Sequence, residues 1–330
     1  MFRELDMLVS GNTLSPDSSS RLMEYLCLPE TSDTERISFL ASLLSTGVTP
    51  AEMAGFSRTL KLYGDLGPIH GCTDIVGTGG DGMNTFNVST CASIVASSMG
   101  IRIAKHGNRA VSGMMGSADF LARLGYDFEF DQREAEMRLE RTGYLFILAP
   151  VHNRAFSLFA RARKLLGTST VFNLMGPLTN PVDPEISIIG CQDGLSGLYA
   201  ETLLESSRRG AVISSSDGMD EISPFGRSRM VIVGENLESV SISGKSIAGE
   251  LAMKDVRAED QGSLFGLAMA GLSGENASAA RFIALNTAPA VLLNGFADTF
   301  EEAYRLSLDQ ILSGKALSHT GQIVGGEVHA

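Results

Sequence analysis

The densest chemistry in the chain lies between residues 74 and 125. A short apolar run at 73–76 feeds a glycine-rich turn, Gly77-Thr78-Gly79-Gly80-Asp81-Gly82. Asn87, Ser89 and Thr90 follow, at the head of a helix-forming stretch. A second apolar run, 101–104, ends on Lys105-His106-Gly107-Asn108-Arg109. Glycines let backbone N–H groups approach an anion, and a helix N-terminus adds unpaired donors and a favourable dipole. Two such turns at neighbouring strand ends, one of them carrying fixed cations, suit a phosphorylated small molecule. Further on, Asp220 and Glu221 sit in SSDGMDEISP, after an apolar run at 211–214. Adjacent carboxylates on a turn are usually solvated surface. At a strand end facing a polyphosphate they suit Mg²⁺, which takes one or two carboxylates plus substrate oxygens.

The glycine turn also matches G-x-G-x-x-G at Gly77, Gly79 and Gly82. That fingerprint expects a helix opening directly at the turn and an acidic residue about 20 residues on. Here the helix opens near Ser89, and the next strand ends on Lys105. Asp81 would repel a pyrophosphate unless a metal lay between. A magnesium-bridged pyrophosphate therefore ranks above NAD, and a plain tight turn ranks lower given its neighbours. Ser89 and Thr90 can also serve as N-caps of the helix. Arg161, Arg163 and Lys164 read as a solvated helix face or, if their segment is a hinge, as an arginine fork for an acidic co-substrate.

The elements that must position these groups fall into two textures. The first seventy or so residues read as helices. One covers about 18–27. Another starts at Ser32-Asp33-Thr34-Glu35, and a third follows Thr49 with Pro50 in its first turn. From Cys72 onward, short apolar runs alternate with amphipathic stretches, the mark of a largely parallel α/β sheet. Candidate strands are 73–76, 101–104, 126–128, 145–149, 186–190 and 211–214, with a late hairpin at 230–233 and 240–242. A helix at 132–141 starts with a capping-box spacing, Asp131 and Glu134, and stops at Gly143. Helices at about 277–293 and 299–312 close the chain. The basic stretch 154–164 is expected to return to the helical region and form a hinge. The expected organisation is a small helical domain of residues 1–70 joined by about 151–181. Residues 71–150 and 182–330 make a larger α/β domain with a mostly parallel central sheet.

Composition narrows the classes. The 330 residues carry a net charge of −12, which disfavours nucleic acid as the main partner, because phosphate backbones need a broad basic surface. Hydrophobic content of 44% against 19% charged leaves room for a sizeable core. The four cysteines are scattered and read as buried small hydrophobes in a reducing compartment. Charges interrupt the apolar N-terminus, and no run is apolar enough to span a membrane, so a cytoplasmic protein is expected.

Taken together, GTGGD at 77–81, NVST at 87–90, KHGNRAVS at 105–112, GSAD at 116–119, FNLMGPLTNP at 172–181 and DGMDE at 217–221 resemble the anthranilate phosphoribosyltransferase family, in order and spacing. The resemblance covers nearly the whole chain. It implies a nucleoside phosphorylase/phosphoribosyltransferase-like fold, usually a homodimer. It also implies transfer of a phosphoribosyl group from phosphoribosyl pyrophosphate to anthranilate, with Mg²⁺, in tryptophan biosynthesis. By position, Gly77, Gly79, Gly80, Asp81, Thr85 and Ser117 would shape the phosphoribosyl pyrophosphate site. Asn87, Ser89, Thr90 and Lys105 would hold its phosphates. Ser89, Asp220 and Glu221 would ligate magnesium, and Gly77, His106, Asn108 and Arg163 would face anthranilate. The chain departs from the family pattern at Gly113, at Ser214-Ser215-Ser216 and at Val151-His152. Pyrimidine-nucleoside phosphorylases share the fold but differ in the glycine loop. An NAD-binding oxidoreductase and a noncatalytic nucleic-acid binder remain as readings from other classes. NAD-dependent stabilisation or salt-dependent DNA binding would reveal them.

Overall fold

The computed structural model describes residues 2–79, 82–110, 115–326 and 328. The helix starts follow local chemistry. Ser32 with Glu35 and Thr49 with Glu52 both form reciprocal capping boxes, and Pro50 occupies the first turn of its helix. Asp131 accepts the Glu134 N–H and caps the helix Gln132–Thr142, which ends on left-handed Gly143. The other half of that box is absent, because the Glu134 carboxylate pairs with Arg138 instead.

Seven strands form one sheet in the order β3-β2-β1-β4-β5-β6-β7. They are β1 Thr73–Gly77, β2 Ile103–Gly107, β3 Tyr144–Leu148, β4 Ile186–Gly190, β5 Arg209–Ser215, β6 Arg227–Val233 and β7 Leu237–Ser243. The first five pair in parallel, and β6 and β7 add antiparallel as the expected hairpin. Chain order reverses between β1 and β4. In open α/β sheets, the crevice beyond the strand ends at such a reversal is where ligands bind.

Three expectations need correction. The second strand starts two residues later than its apolar run, so Lys105 and His106 lie inside β2. Residues 126–128 pair with no strand. Tyr126 buries its ring against Phe128 and Phe146, and its hydroxyl accepts the Phe146 N–H. Helices Gln261–Ser273 and Lys315–Val324 add to the two expected near the C-terminus.

Side chains alternate across the sheet, as period-two geometry demands. Ile75, Ile103, Ile188 and Ile213 face one core, built with the helices Val88–Ser98 and Ala277–Leu293. Val76, Ile189, Val212 and Val231 face the other, which runs through Tyr199 and Leu203 to Leu22, Phe39 and Phe56 of the N-terminal helices and to Phe159 and Phe172. All four cysteines are buried and unbridged.

Candidate active site

The carboxyl ends of β1, β4 and β5 converge. At the end of β1, Thr78 N–H donates to the Gly190 carbonyl on β4. The next amide, Gly79 N–H, donates to Asp220 Oδ2 at 2.9 Å. Gly79 has φ +65°, a left-handed turn that disfavours a side chain. Close approach also requires glycine at the end of β4 and favours it at the end of β1. A Cβ on Gly77 would lie 2.7 Å from Asp220 Oδ2, and one on Gly190 would lie 1.8 Å from the Asp220 carbonyl. The acidic turn is thus seated directly on the strand ends.

Strand β2 sends adjacent side chains to opposite faces. Lys105, 1% exposed, lies on the Ile103 face and donates to the Ile75 carbonyl and to Ser89 Oγ at 3.4 Å. Burial lowers the Lys105 pKa to about 8, against the opposing fields of Asp74, Asp220 and Glu221. His106 turns to the other face, where its Nδ1 lies 3.0 Å from the Gly176 carbonyl. A carbonyl only accepts, so Nδ1 carries the proton. Burial drops the His106 pKa to about 4, and the ring is neutral with an acceptor at Nε2.

On the His106 face lies Asp74, fully enclosed in β1. Its carboxylate accepts the His106 N–H at 3.0 Å and Asn180 Nδ2 at 2.9 Å. Burial raises the Asp74 pKa to about 6, although Lys105 and these hydrogen bonds oppose the shift. Several buried polar atoms in this region have no hydrogen-bond partner: Asn87 Oδ1, Thr90 Oγ1, His106 Nε2 and Arg257 Nε. Such atoms are rare in folded proteins, and ordered water, an ion or a ligand can supply the partner.

Of the residues expected from the sequence, Gly77 and Gly79 meet Asp220, and Lys105 meets Ser89. The cap position of the helix Val88–Ser98 is Asn87, not Ser89 or Thr90, which lie in the first turn. The Asn87 amide reaches the Met115 carbonyl instead of capping. Thr85 pairs with Arg257 in an isolated antiparallel bridge. Ser117 opens the helix Ser117–Arg123, and Ala118 N–H donates to the Asn108 carbonyl. Asn108 is exposed at the end of β2. Arg163 lies over the Phe172 ring at 5.7 Å and reaches Asn173 Oδ1 at 3.5 Å, beside an open pocket of ≈ 520 Å³. Arg161 is exposed and pairs with Asp33. Gly80, Asp81 and Gly113 lie outside the described residues. Sequence reasoning passed over Asp74, Asn180 and Arg257. An acidic residue inside an otherwise apolar strand was the one available signal for Asp74.

The donor set suits Mg²⁺ shared with a substrate. Asp220 and Glu221 offer carboxylates and Ser89 a hydroxyl. Among the described residues no group of three His, Cys, Asp or Glu side chains forms a closed metal cage. Mg²⁺ characteristically takes one or two protein carboxylates and completes its shell with water and phosphate oxygens.

A family model, the α/β domain of the glycosyl transferase family, matches residues 70–317. The anthranilate phosphoribosyltransferase of Thermoplasma acidophilum is 41% identical over 310 residues, covering 94% of this chain and 95% of its own. The crystal structure of anthranilate phosphoribosyltransferase from Thermus thermophilus superposes with a TM-score of 0.89 at 30% identity, covering 98% and 99% of the two chains. The Saccharomyces cerevisiae enzyme in complex with PRPP and Mg gives 0.84 at 27% identity, covering 97% and 96%. This chain therefore belongs to the anthranilate phosphoribosyltransferase family.

Proposed function

We propose that the chain moves the phosphoribosyl group of phosphoribosyl pyrophosphate onto the amine of anthranilate, releasing pyrophosphate. The observation that carries this reading is the split at β2. Neighbouring residues present a buried cation to the glycine-rich, acidic side and a neutral imidazole acceptor to the opposite side. One side suits a polyphosphate donor, the other an aromatic amine.

In the donor site, the turn after β1 shapes the floor, and the first turn of the helix Val88–Ser98 and Lys105 hold the phosphates. Asp220, Glu221 and Ser89 would hold Mg²⁺, which neutralises charge on the departing pyrophosphate. On the acceptor side, Arg163 provides a guanidinium for the anthranilate carboxylate, and Asn108 and Gly77 line the approach. The arylamine nitrogen bonds to the anomeric carbon as the carbon–oxygen bond to pyrophosphate breaks. The amine is already nucleophilic, so positioning and electrostatics do most of the work. His106 Nε2, fixed as an acceptor by its Nδ1–H bond to Gly176, is the atom that takes a hydrogen bond from the amine N–H.

Two further parts of the reading concern the whole chain. Residues 1–70 and about 151–181 make a helical lobe, and the remainder is the α/β lobe. Two copies pair through the helical lobe. Val9, Leu44 and Leu165 support this pairing, being exposed apolar side chains on three helices, of which the middle one packs against both others. Cytoplasmic residence agrees with four unbridged cysteines. Among the described residues no helix is long and apolar enough to cross a membrane.

The test is loss of anthranilate fluorescence on mixing with phosphoribosyl pyrophosphate, with and without Mg²⁺. Magnesium-dependent loss is the expected result. No loss, from folded protein that still binds the donor, would overturn the choice of acceptor.

A further inference from the structure

We infer that Arg257 is an additional anion-binding residue of the donor site, a guanidinium that grips a phosphate group of the donor beside the glycine-rich turn. The inference deepens the proposed function and rests on its placement of the donor.

Arg257 stands on a backbone strap that is fixed at three points. Val256 is wholly buried in the same core as Phe86. The strap begins with the 3-10 turn Met253–Asp255, and Asp255 Oδ2 accepts the Ser278 hydroxyl at 3.2 Å, near the start of the helix Ala277–Leu293. Phe86 N–H donates to the Val256 carbonyl at 3.3 Å, and Thr85 pairs with Arg257 itself. The strap is thus stitched to the residues that lead from the glycine-rich turn into the helix Val88–Ser98. A side chain on such a support is held in place before any ligand arrives.

The Arg257 side chain reaches Met83, the residue directly after the turn. Its Nη2 lies 3.0 Å from the Met83 sulfur. A thioether is a weak acceptor and does not balance a guanidinium. Nε is buried without a hydrogen-bond partner. Among the described residues Arg257 takes part in no ion pair. Thr90 Oγ1, five residues beyond Thr85, is likewise buried with no partner among the described residues, and a hydroxyl can donate to an anion. A partly desolvated cation with no counter-ion among the described residues, beside a glycine-rich turn, calls for an anion. Phosphate is the anion of the donor, and the planar guanidinium fork matches its oxygens in a way an ammonium does not. No bond is made or broken by Arg257; it contributes binding.

The contrary reading is that Arg257 only props the turn through its aliphatic stem and Met83. Arg257→Met keeps an apolar stem of similar reach and removes the charge, and Arg257→Lys keeps the charge and removes the fork. Donor affinity is measured by calorimetry with phosphoribosyl pyrophosphate and Mg²⁺, alongside KM for both substrates and kcat. The expected result is donor affinity weakened about tenfold or more in Arg257→Met, the loss associated with one charge-assisted hydrogen bond. Arg257→Lys should fall between, with KM for anthranilate and the melting temperature close to wild type. Wild-type donor affinity in folded Arg257→Met would overturn the inference, as would a fall in kcat with donor binding unchanged. If Arg257→Met does not fold, Arg257→Lys decides, and wild-type donor affinity there overturns it. Wild-type protein that does not bind the donor would overturn the underlying placement of the donor as well, which separates the two failures.

Discussion

The His106 ring shows how burial sets chemistry at one residue. An exposed imidazole titrates near neutrality, but this one is enclosed, and burial holds its pKa down at about 4. The Gly176 carbonyl fixes the proton on Nδ1, so Nε2 stays an acceptor across the physiological range. Two expectations follow from the same shift. His106→Ala should lower kcat by about a hundredfold, the low end of what a positioned proton acceptor contributes, because an arylamine needs little help from a base. The pH profile of kcat/KM should carry no limb near the ordinary imidazole pKa that vanishes in the variant. Such a limb, present in wild type and gone in His106→Ala, would show that the ring titrates freely and that its tautomer is not fixed. The linked stability effect has a definite sign. The unfolded chain takes up the imidazole proton near 6.5 and the folded chain only near 4. Stability from this group is therefore complete above the unfolded pKa and is lost as pH falls from about 6.5 to about 4. Urea unfolding of wild type and His106→Ala across that window measures the difference.

At the scale of elements, the site depends on strand ends that approach more closely than side chains allow. Gly190 ends β4, and a methyl there would collide with the Asp220 carbonyl. Gly190→Ala should push the 217–221 turn outward, costing about 1–3 kcal/mol of stability by overpacking. It should also lower kcat roughly a hundredfold, the scale of a 1 Å misplacement at a reacting centre. The Mg²⁺ concentration for half-maximal activity should rise with it. An unchanged magnesium requirement would mean that β4 does not place the acidic turn. Much of this arrangement was legible beforehand. Short apolar runs located β1, β4, β5 and the hairpin, and the glycine, lysine and acidic motifs named residues that the fold gathers at one crevice. What the sequence hid has physical reasons. Hydrophobic patterning places Lys105 and His106 after a strand, because buried charge inside a strand runs against it. They are tolerated there because Ser89, Asp74 and two carbonyls meet their polar atoms, His106 Nε2 excepted. Residues 126–128 have a strand's composition, yet they bury aromatic rings without pairing their backbone. Asn180 is 106 residues from Asp74, and no local pattern announces a partner at that distance.

Across the whole molecule, the helical region and the sheet are bound by one apolar core and by a polar joint that is exposed at its rim and buried at its centre. The core passes from Phe39 and Phe56 through Phe159 and Phe172 to Val76 and Ile189 of the sheet. The joint lies where the chain crosses between them. Lys61, at the end of the helix Pro50–Lys61, donates to Asp183, which also pairs with Arg208 ahead of β5. His152 lies between Asp65 and the Phe128 carbonyl. At the centre, Asn180 uses one amide nitrogen for both Asp74 and the Ala104 carbonyl, while Asp74 also takes the His106 N–H. The crossing segment 176–182 therefore reaches the acceptor side twice, through Asp74 below His106 and through Gly176 against its ring. Because these contacts share one carboxylate, their energies should not add. Asn180→Ala leaves Asp74 short of a donor and should cost about 1–3 kcal/mol. Asp74→Asn places an amide where two donors already point and should cost a similar amount. The double variant, with neither the carboxylate nor its amide partner, should be less damaged than the sum, by roughly 0.5–3 kcal/mol. Urea unfolding of the four proteins measures this coupling, and steady-state kinetics adds a second reading, in which KM for anthranilate rises more than KM for the donor. Stability losses that add to within about 0.3 kcal/mol would mean that the two residues act separately. The crossing segment would then be held by its apolar contacts, and the orientation of His106 would rest on Gly176 alone.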